Sequence, residues 1–514
     1  VFTRACKQFA ERDLFGTRPL VRRTYQEKVV NGTPKRWCYE TLGPYHFRSY
    51  AECYRRCSAI GKALVSLGLK RGDVITMYCD TCEEWMSLAL GCWSQSIVVS
   101  TVYANIGKQG IIHAIKELQP SALFMSVENS GELRSILEQC PFIQTIFFRE
   151  RDFDTATITD LASGRRVYSV EHLVEMGGPC AQIPLNPPAP EDLALIMYTS
   201  GTTGVPKGVM IQHKAITKTK AVSHHYFELT ENDVVLAALP LAHIIEVVIE
   251  LAVFNTGGKL GYGSPRTLLD MNVLDCHGDL PELRPTVFIA VPAILDRIRK
   301  GVLGKMRGSF PLIRFLFWAS LRIKKAGWFV QHKPAVRAIN AALDRLIFNR
   351  VAAMTGGRIT RILCGGAPLS ATTRLFVNLC LNCHINNGYG MTESCGMSCL
   401  QQGDDLNIVS VGPPVCVAAV KLVDRPELNY TSQSPRPSGE VCVKGDSLFL
   451  GYYKNDALTR EVLDEDGWLH TGDIGEWMED GTLRIIDRCK NLAKLAHGEY
   501  IAPEALESVY SRSS

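Results

Sequence analysis

Residues 198–210 read YTSGTTGVPKGVM, a string that gathers three glycines, four small hydroxyl side chains and a lysine between two apolar ends. Gly201, Gly204 and Gly208 let the backbone come close to a ligand, and successive N–H groups can form a nest for an anion. Thr199, Ser200, Thr202 and Thr203 add hydroxyl donors, and Lys207 adds a positive charge. These are groups for holding a polyphosphate. The order is not that of a Walker A loop, because GxxxxGK[ST] cannot be laid on it. A flexible Gly/Thr-rich surface loop is the plain alternative. The apolar run ALIM directly before the string argues against it, since that run reads as a buried strand.

Residues 387–393, NGYGMTE, form a second group. Tyr389 offers a ring face to a purine and Asn387 an amide to its edge, with Gly388 and Gly390 beside them. Thr392 can donate to a phosphate, and Glu393 is a hard oxygen ligand suited to Mg²⁺. Alone, the stretch also reads as a turn before a strand. In PLAHIIE (residues 240–246), His243 sits in an apolar run, where a histidine satisfied within the core competes with one that meets a substrate.

The elements that must position these groups are legible as alternation. Residues 74–79, 121–127, 145–148, 194–199 and 286–291 are short, β-branched and apolar, as buried strands are. Helical patterns lie between them, such as residues 50–69, closed by Gly68 and the Arg71-Gly72 turn. Strand–helix alternation predicts right-handed βαβ units and largely parallel sheets, an α/β fold. After about Val409 the pattern changes. VAAVKLVD, GEVCVKG and TLRIIDR, separated by Pro and Gly turns, predict a small antiparallel β-barrel or sheet. The most apolar stretch, residues 234–254, contains Pro240, His243, Glu246 and Glu250, so it reads as a buried strand and helix rather than a membrane span.

The 514 residues carry a net charge of only +4, which does not indicate wholesale nucleic-acid binding. The 18 cysteines are scattered and read as reduced thiols of a cytosol-facing, intracellular protein. Two CxxC pairs, Cys79/Cys82 and Cys380/Cys383, lack further ligands for zinc. No signal peptide is visible, and the chain opens on Val1 rather than Met, which leads us to expect a missing beginning.

YTSGTTGVPKGV and NGYGMTE, in this order, resemble the phosphate and adenine/magnesium motifs of adenylate-forming enzymes. DGWLHTGDIGEWMEDGTLRIIDRCK (residues 466–490) resembles the signature of the fatty acyl-CoA synthetases among them, and the likeness runs from about Arg48 onward. The resemblance implies a large N-terminal domain of stacked βαβ sheets plus a small β-barrel over residues 1–488. The hinge and start of a small, mobile α+β C-terminal domain would occupy 489–514. It places the ribose hydroxyls on Asp473, whose carboxylate can accept from a vicinal diol. It puts the nucleotide beside Arg488, the hinge at Lys490, adenine and the acyl carboxylate along Gly366 and Ala367 of GGAPLS, and the acyl carboxylate beside His243. Thr392, Glu393, Lys207 and His243 would be the catalytic residues.

PLAHIIE and residues 283–298 look like long-chain members. The implied reaction joins a long-chain fatty acid to coenzyme A with ATP and Mg²⁺, through an acyl-adenylate. The implied setting is peripheral, on endoplasmic reticulum, mitochondrial outer membrane or lipid droplet. Residues 301–350, with basic and aromatic side chains interleaved, fit either an interfacial helix on an anionic membrane or a helix pair with a solvated face. Departures are Cys489, where relatives usually have lysine, and Asn387, where they often have an acid. Family members also continue well past GEYIAPE to a lysine used in adenylation. A shortened chain impaired in its first step is therefore expected. A non-catalytic ATP- or acyl-binding fragment and an adenylating ligase for another carboxylic acid are the competing readings.

Overall fold

The computed structural model describes residues 2–30, 33–103, 106–149, 155–162, 164–199, 205–403, 405–489, 493–494 and 500–501. Contact density divides the chain into two compact units. One comprises Val1–His224, Leu229–Asp279 and Ser447–Thr459; the other comprises His225–Glu228, Leu280–Asp446 and Arg460–Ser514.

In the first unit the apolar runs become one mostly parallel sheet. Leu193–Thr199, Val98–Thr101, Val74–Tyr78, Ala122–Met125, Thr145–Phe148 and Arg166–Ser169 lie side by side in that order, all parallel. Lys207–Gln212 and then Gly451–Tyr452 extend it antiparallel. These central strands are buried along their length, which is why they read as unbroken apolar runs. The helix Tyr50–Ser66 is held at its start by a capping box between Ser49 and Glu52, and Gly68 follows in the left-handed region at φ 97°. Asp13–Thr17, parallel to Lys259–Tyr262, and the hairpin Leu20–Val30/Thr33–Leu42 were not legible as elements.

Residues 234–254 resolve as expected into the strand Val234–Ala237 and the helix Ile244–Thr256, capped by Gly257 at φ 81°. Glu246 and Glu250 on this helix are each 1% exposed. The Glu250 carboxylate accepts from the Tyr262 hydroxyl at 2.7 Å. No helix among the described residues is long and apolar enough to cross a membrane.

In the second unit Val287–Ala290, Arg361–Cys364 and His384–Tyr389 are parallel neighbours. The strands after Val409 form an antiparallel sheet ordered Ala418–Val423, Ser438–Gly445, Leu469–Trp477, Leu483–Arg488. Among the described residues the two outer strands do not pair with each other, so this is an open sheet and not a closed barrel. Four strands are too few to wrap a filled interior. Residues 489–514, the expected hinge and second domain, lie mostly outside the described residues; Ala493–Lys494 pairs antiparallel with Tyr500–Ile501.

Burial raises the Glu250 pKa from 4.5 to about 8, and Glu246 is raised as well. The unfolded chain therefore releases this proton first, so the group takes stability away as pH climbs from about 4.5 to about 8. Glu250→Gln should remove that slope while its amide oxygen still accepts from Tyr262. Thermal midpoints of variant and parent should diverge in the variant's favour across this window and run parallel above it. A constant offset at every pH would mean that Glu250 is ionised in the fold.

Candidate active site

The parallel register Cys364↔Asn387 brings two sequence-predicted segments to the same strand ends in the second unit. Ligands of α/β sheets collect at such carboxyl ends. Gly366 follows its strand in the left-handed region, φ 82°, with almost nothing where a Cβ would stand, and Ala367 beside it is exposed. On the neighbouring strand Gly390 lies so close to Gly396 that a Cβ would fall 2.4 Å from its carbonyl oxygen. Gly388 is packed against Leu400 and the Cys399 carbonyl. These two glycines are fixed by backbone packing.

Tyr389, half-buried, donates its hydroxyl to Asp473 Oδ2 at 2.7 Å. Arg488, opposite Asp473 in the sheet, brings Nε to 3.4 Å from Oδ1 and is otherwise exposed. Burial first, with the Glu393 charge as a further contribution, holds the Asp473 pKa above the ordinary carboxylate value. Glu393 is itself 3% exposed, and Thr392 is half-buried at the start of the turn Thr392–Ser394. The Glu393 carboxylate is a hard oxygen donor of the kind that suits Mg²⁺.

Asn387 is buried near the end of its strand. Its side-chain amide donates to the Ser410 carbonyl at 3.3 Å, and its backbone N–H donates to Gln401 at 3.1 Å. One of the two amide N–H groups is thereby committed to the protein.

In the first unit the strand Leu193–Thr199 turns back into Lys207–Gln212 with Thr199 opposite Lys207. The Thr199 hydroxyl is buried and, among the described residues, has no hydrogen-bond partner. Lys207 Nζ donates to the Tyr452 hydroxyl at 2.5 Å and lies 4.3 Å from that ring's centroid. An orphaned hydroxyl and an ammonium at the two feet of a turn fit a phosphate. Ser200, Gly201, Thr202, Thr203, Gly204 and Lys490 lie outside the described residues. Gly208 is a packing glycine: a Cβ there would stand 3.0 Å from Ile196.

His243 is not a core residue. It caps the helix Ile244–Thr256 with its ring exposed and edge-on to Tyr103, centroids 5.2 Å apart. The recess around it removes enough water to hold its pKa below the ordinary imidazole value. Tyr103 and Pro240 also line a cavity of about 440 Å³ whose walls include Cys79, Arg149 and Tyr262.

One positioning group escaped the sequence analysis. Buried Glu440 accepts from the Gly472 N–H at 3.1 Å and from Arg425, and His470 stands 3.3 Å away. Gly472, at φ 74°, lies within the strand Leu469–Trp477 where its pairing register shifts, directly before Asp473. No local signal joins Glu440 to Gly472 across 32 residues.

Parallel sheets with glycine turns at their carboxyl ends, followed by an antiparallel sheet carrying Asp473, define an adenylate-forming fold. The AMP-binding enzyme family profile matches residues 26–453, and the chain belongs to that family. It is 36% identical over 527 residues to long-chain-fatty-acid–CoA ligase 1 of Schizosaccharomyces pombe, covering all of this chain and 77% of that one. It is 35% identical over 529 residues to long chain acyl-CoA synthetase 8 of Arabidopsis thaliana, covering 100% and 72%. Among solved structures, the adenylation domain of a Mycobacterium chelonae carboxylate reductase superposes with a TM-score of 0.78 at 24% identity, over 99% of this chain and 74% of that one.

Glu440→Ala leaves the Gly472 donor without its acceptor. ATP binding should weaken about 5- to 30-fold (~1–2 kcal/mol, the cost of an unpaired buried donor). Glu440→Gln, whose amide oxygen can still accept, should lose less. Calorimetric titration of both variants with ATP reads the difference, and equal losses would sink the positioning role.

Proposed function

We propose that this chain activates long-chain fatty acids with ATP and transfers them to coenzyme A. The observation that carries the reading is the cluster Tyr389–Asp473–Glu393 with Arg488. It occurs in a chain similar along its whole length to long-chain fatty acid ligases. The fatty carboxylate attacks the ATP α-phosphorus in line and pyrophosphate leaves. The CoA thiol then attacks the acyl-adenylate carbonyl and AMP leaves.

Each side chain has a task that its surroundings suit. Tyr389 presents its ring to the adenine while its hydroxyl keeps Asp473 aligned for the ribose diol. Thr199 and Lys207 hold phosphate oxygens, and Lys207 arrives pre-oriented by Tyr452, so little ordering is left for the bound state. Thr392 donates to the α-phosphate. Glu393 would hold Mg²⁺, which supplies charge neutralisation to the phosphates. His243, kept neutral at physiological pH, can donate to the acyl carboxylate without a competing charge on the ring. Fixed donors and dipoles of this kind do most of the work in phosphoryl and adenylyl transfer. The large domain would run to Arg488, with a mobile second domain turning about Lys490. A fatty acid substrate partitions into membranes, so the enzyme would act at a cytosol-facing lipid surface such as endoplasmic reticulum, mitochondrial outer membrane or lipid droplet.

The test supplies the 514-residue chain with ATP, Mg²⁺, CoA and palmitate, and follows pyrophosphate and palmitoyl-CoA separately. Acetate, an aryl acid and an amino acid run as competing acids, and synthetic palmitoyl-adenylate with CoA forms a parallel arm. Palmitoyl-CoA from palmitate and ATP supports the reading. Thioester from the adenylate alone marks a chain that performs only the second step. Product from one of the other acids in preference to palmitate would overturn the long-chain assignment.

A further inference from the structure

Between Arg297 and Leu343 the sequence has eleven lysines and arginines and no aspartate or glutamate, in a chain whose total net charge is +4. The same region holds nine of the seventeen large hydrophobic side chains that stand exposed on the described chain. Both features sit on the helices of one unit, Pro292–Arg307, Pro311–Ala326 and Pro334–Leu343.

The helix Pro311–Ala326 has two apolar stripes. Phe317, Ser320, Leu321 and Lys324 face inward, with Phe317 against Phe348 and Phe376 and the Lys324 ammonium 2.7 Å from Asp344. Leu312, Phe315, Leu316 and Ile323 recur at helical spacing on the other side and are all exposed, Phe315 by 68%. A helix that is apolar on both sides is normally covered on both. Phe310 and Phe329, 77% and 67% exposed, flank its ends. Pro334–Leu343, with one charged residue in ten, buries none of its side chains. Arg314, Arg322, Lys325, Lys333 and Arg337 are exposed among these apolar groups.

We propose that this face docks on an anionic lipid bilayer, with Pro311–Ala326 lying in the plane of the interface. Charge decides the occupant. A second copy of the chain would set these exposed positive charges against their own like, whereas a leaflet of acidic phospholipid neutralises them. The 16-residue helix is about 24 Å long, suited to lying along a surface with its aromatic face sunk to the depth of the headgroups. The proposal deepens the ligase reading by naming the surface from which a membrane-dissolved acid would be drawn. Its test measures binding without substrate, so the two can fail separately.

The full chain is floated with vesicles of phosphatidylcholine alone or mixed with phosphatidylserine, at low and raised salt. Binding should require the acidic lipid and fall with salt. Arg314→Glu with Arg322→Glu should weaken it at least ~25-fold, at roughly fivefold for each positive charge lost near the surface. Phe310→Ser with Phe315→Ser should weaken it even at low salt. All four positions are exposed, so thermal midpoints should stay unchanged. Overturning results are an absence of flotation by the parent chain, equal binding to neutral vesicles, variants that bind like the parent, or light scattering that shows a dimer lost on the phenylalanine substitutions.

Discussion

The parallel pairing of Arg361–Cys364 with His384–Tyr389 sets where chemistry can occur in the second unit, because every site group there hangs from the end of one of these strands or meets a group that does. Strand ends leave N–H groups without ladder partners, and glycine at the exit lets the chain turn without covering them. Gly366 takes the left-handed conformation at one exit, and Gly390 meets Gly396 backbone to backbone at the other. A side chain at Gly390 would force this segment away from the Gly396–Met397 backbone. The aromatic ring, the hydroxyl and Glu393 are therefore placed by backbone packing before any ligand is considered.

Several buried charges in this fold are accompanied by a partner or a proton. Arg18 and Asp279, 3% and 2% exposed, meet at 3.0 Å, and Asp279 also accepts from Ser264 and Thr267. Arg56 reaches both Glu83 and Glu171. Glu246 and Glu250 have no cation among the described residues, and burial favours their protonated forms instead. Asp473 falls between these solutions. Its hydrogen bond from Tyr389 and its contact with Arg488 favour the anion, while burial and Glu393 oppose it. A further hydrogen-bond donor at Asp473 would tip that balance toward the anion.

How much could be read from the sequence depended on whether the reason was local. The phosphate string, NGYGMTE and the TGD stretch each concentrate residue types that one ligand requires, so each is visible without a fold. Buried parallel strands were visible as apolar runs such as ALIM, and residues 234–254 resolved into a strand and a helix as read. What stayed hidden was pairing across distance. Lys207 meets Tyr452 across 245 residues, Glu440 braces Gly472 from another strand, and Asn387 spends its amide on Ser410. The four C-terminal strands looked able to close a barrel, because alternation reveals strands and turns but not whether the outer edges meet. The opening hairpin, Leu20–Val30 with Thr33–Leu42, was missed because its strands carry Arg, Glu and Lys on a polar two-stranded ribbon with little apolar alternation.

The two faces of Pro311–Ala326 show how the same local pattern acquires two meanings. Sequence alone left an interfacial helix and a solvated helix pair equally open, because both interleave bases with aromatics. Burial separates them. Phe317 and Lys324 turn inward, one to an aromatic cluster and the other to Asp344, so part of the aromatic and basic content is ordinary core. Once that part is removed, what remains outward is more apolar than a solvated face needs to be, and its charges are all of one sign. A water-facing helix is stabilised by mixed charges that pair along it. A one-sign face repels itself unless an opposite surface is supplied, and that requirement belongs to the molecule whatever reaction its strand ends perform.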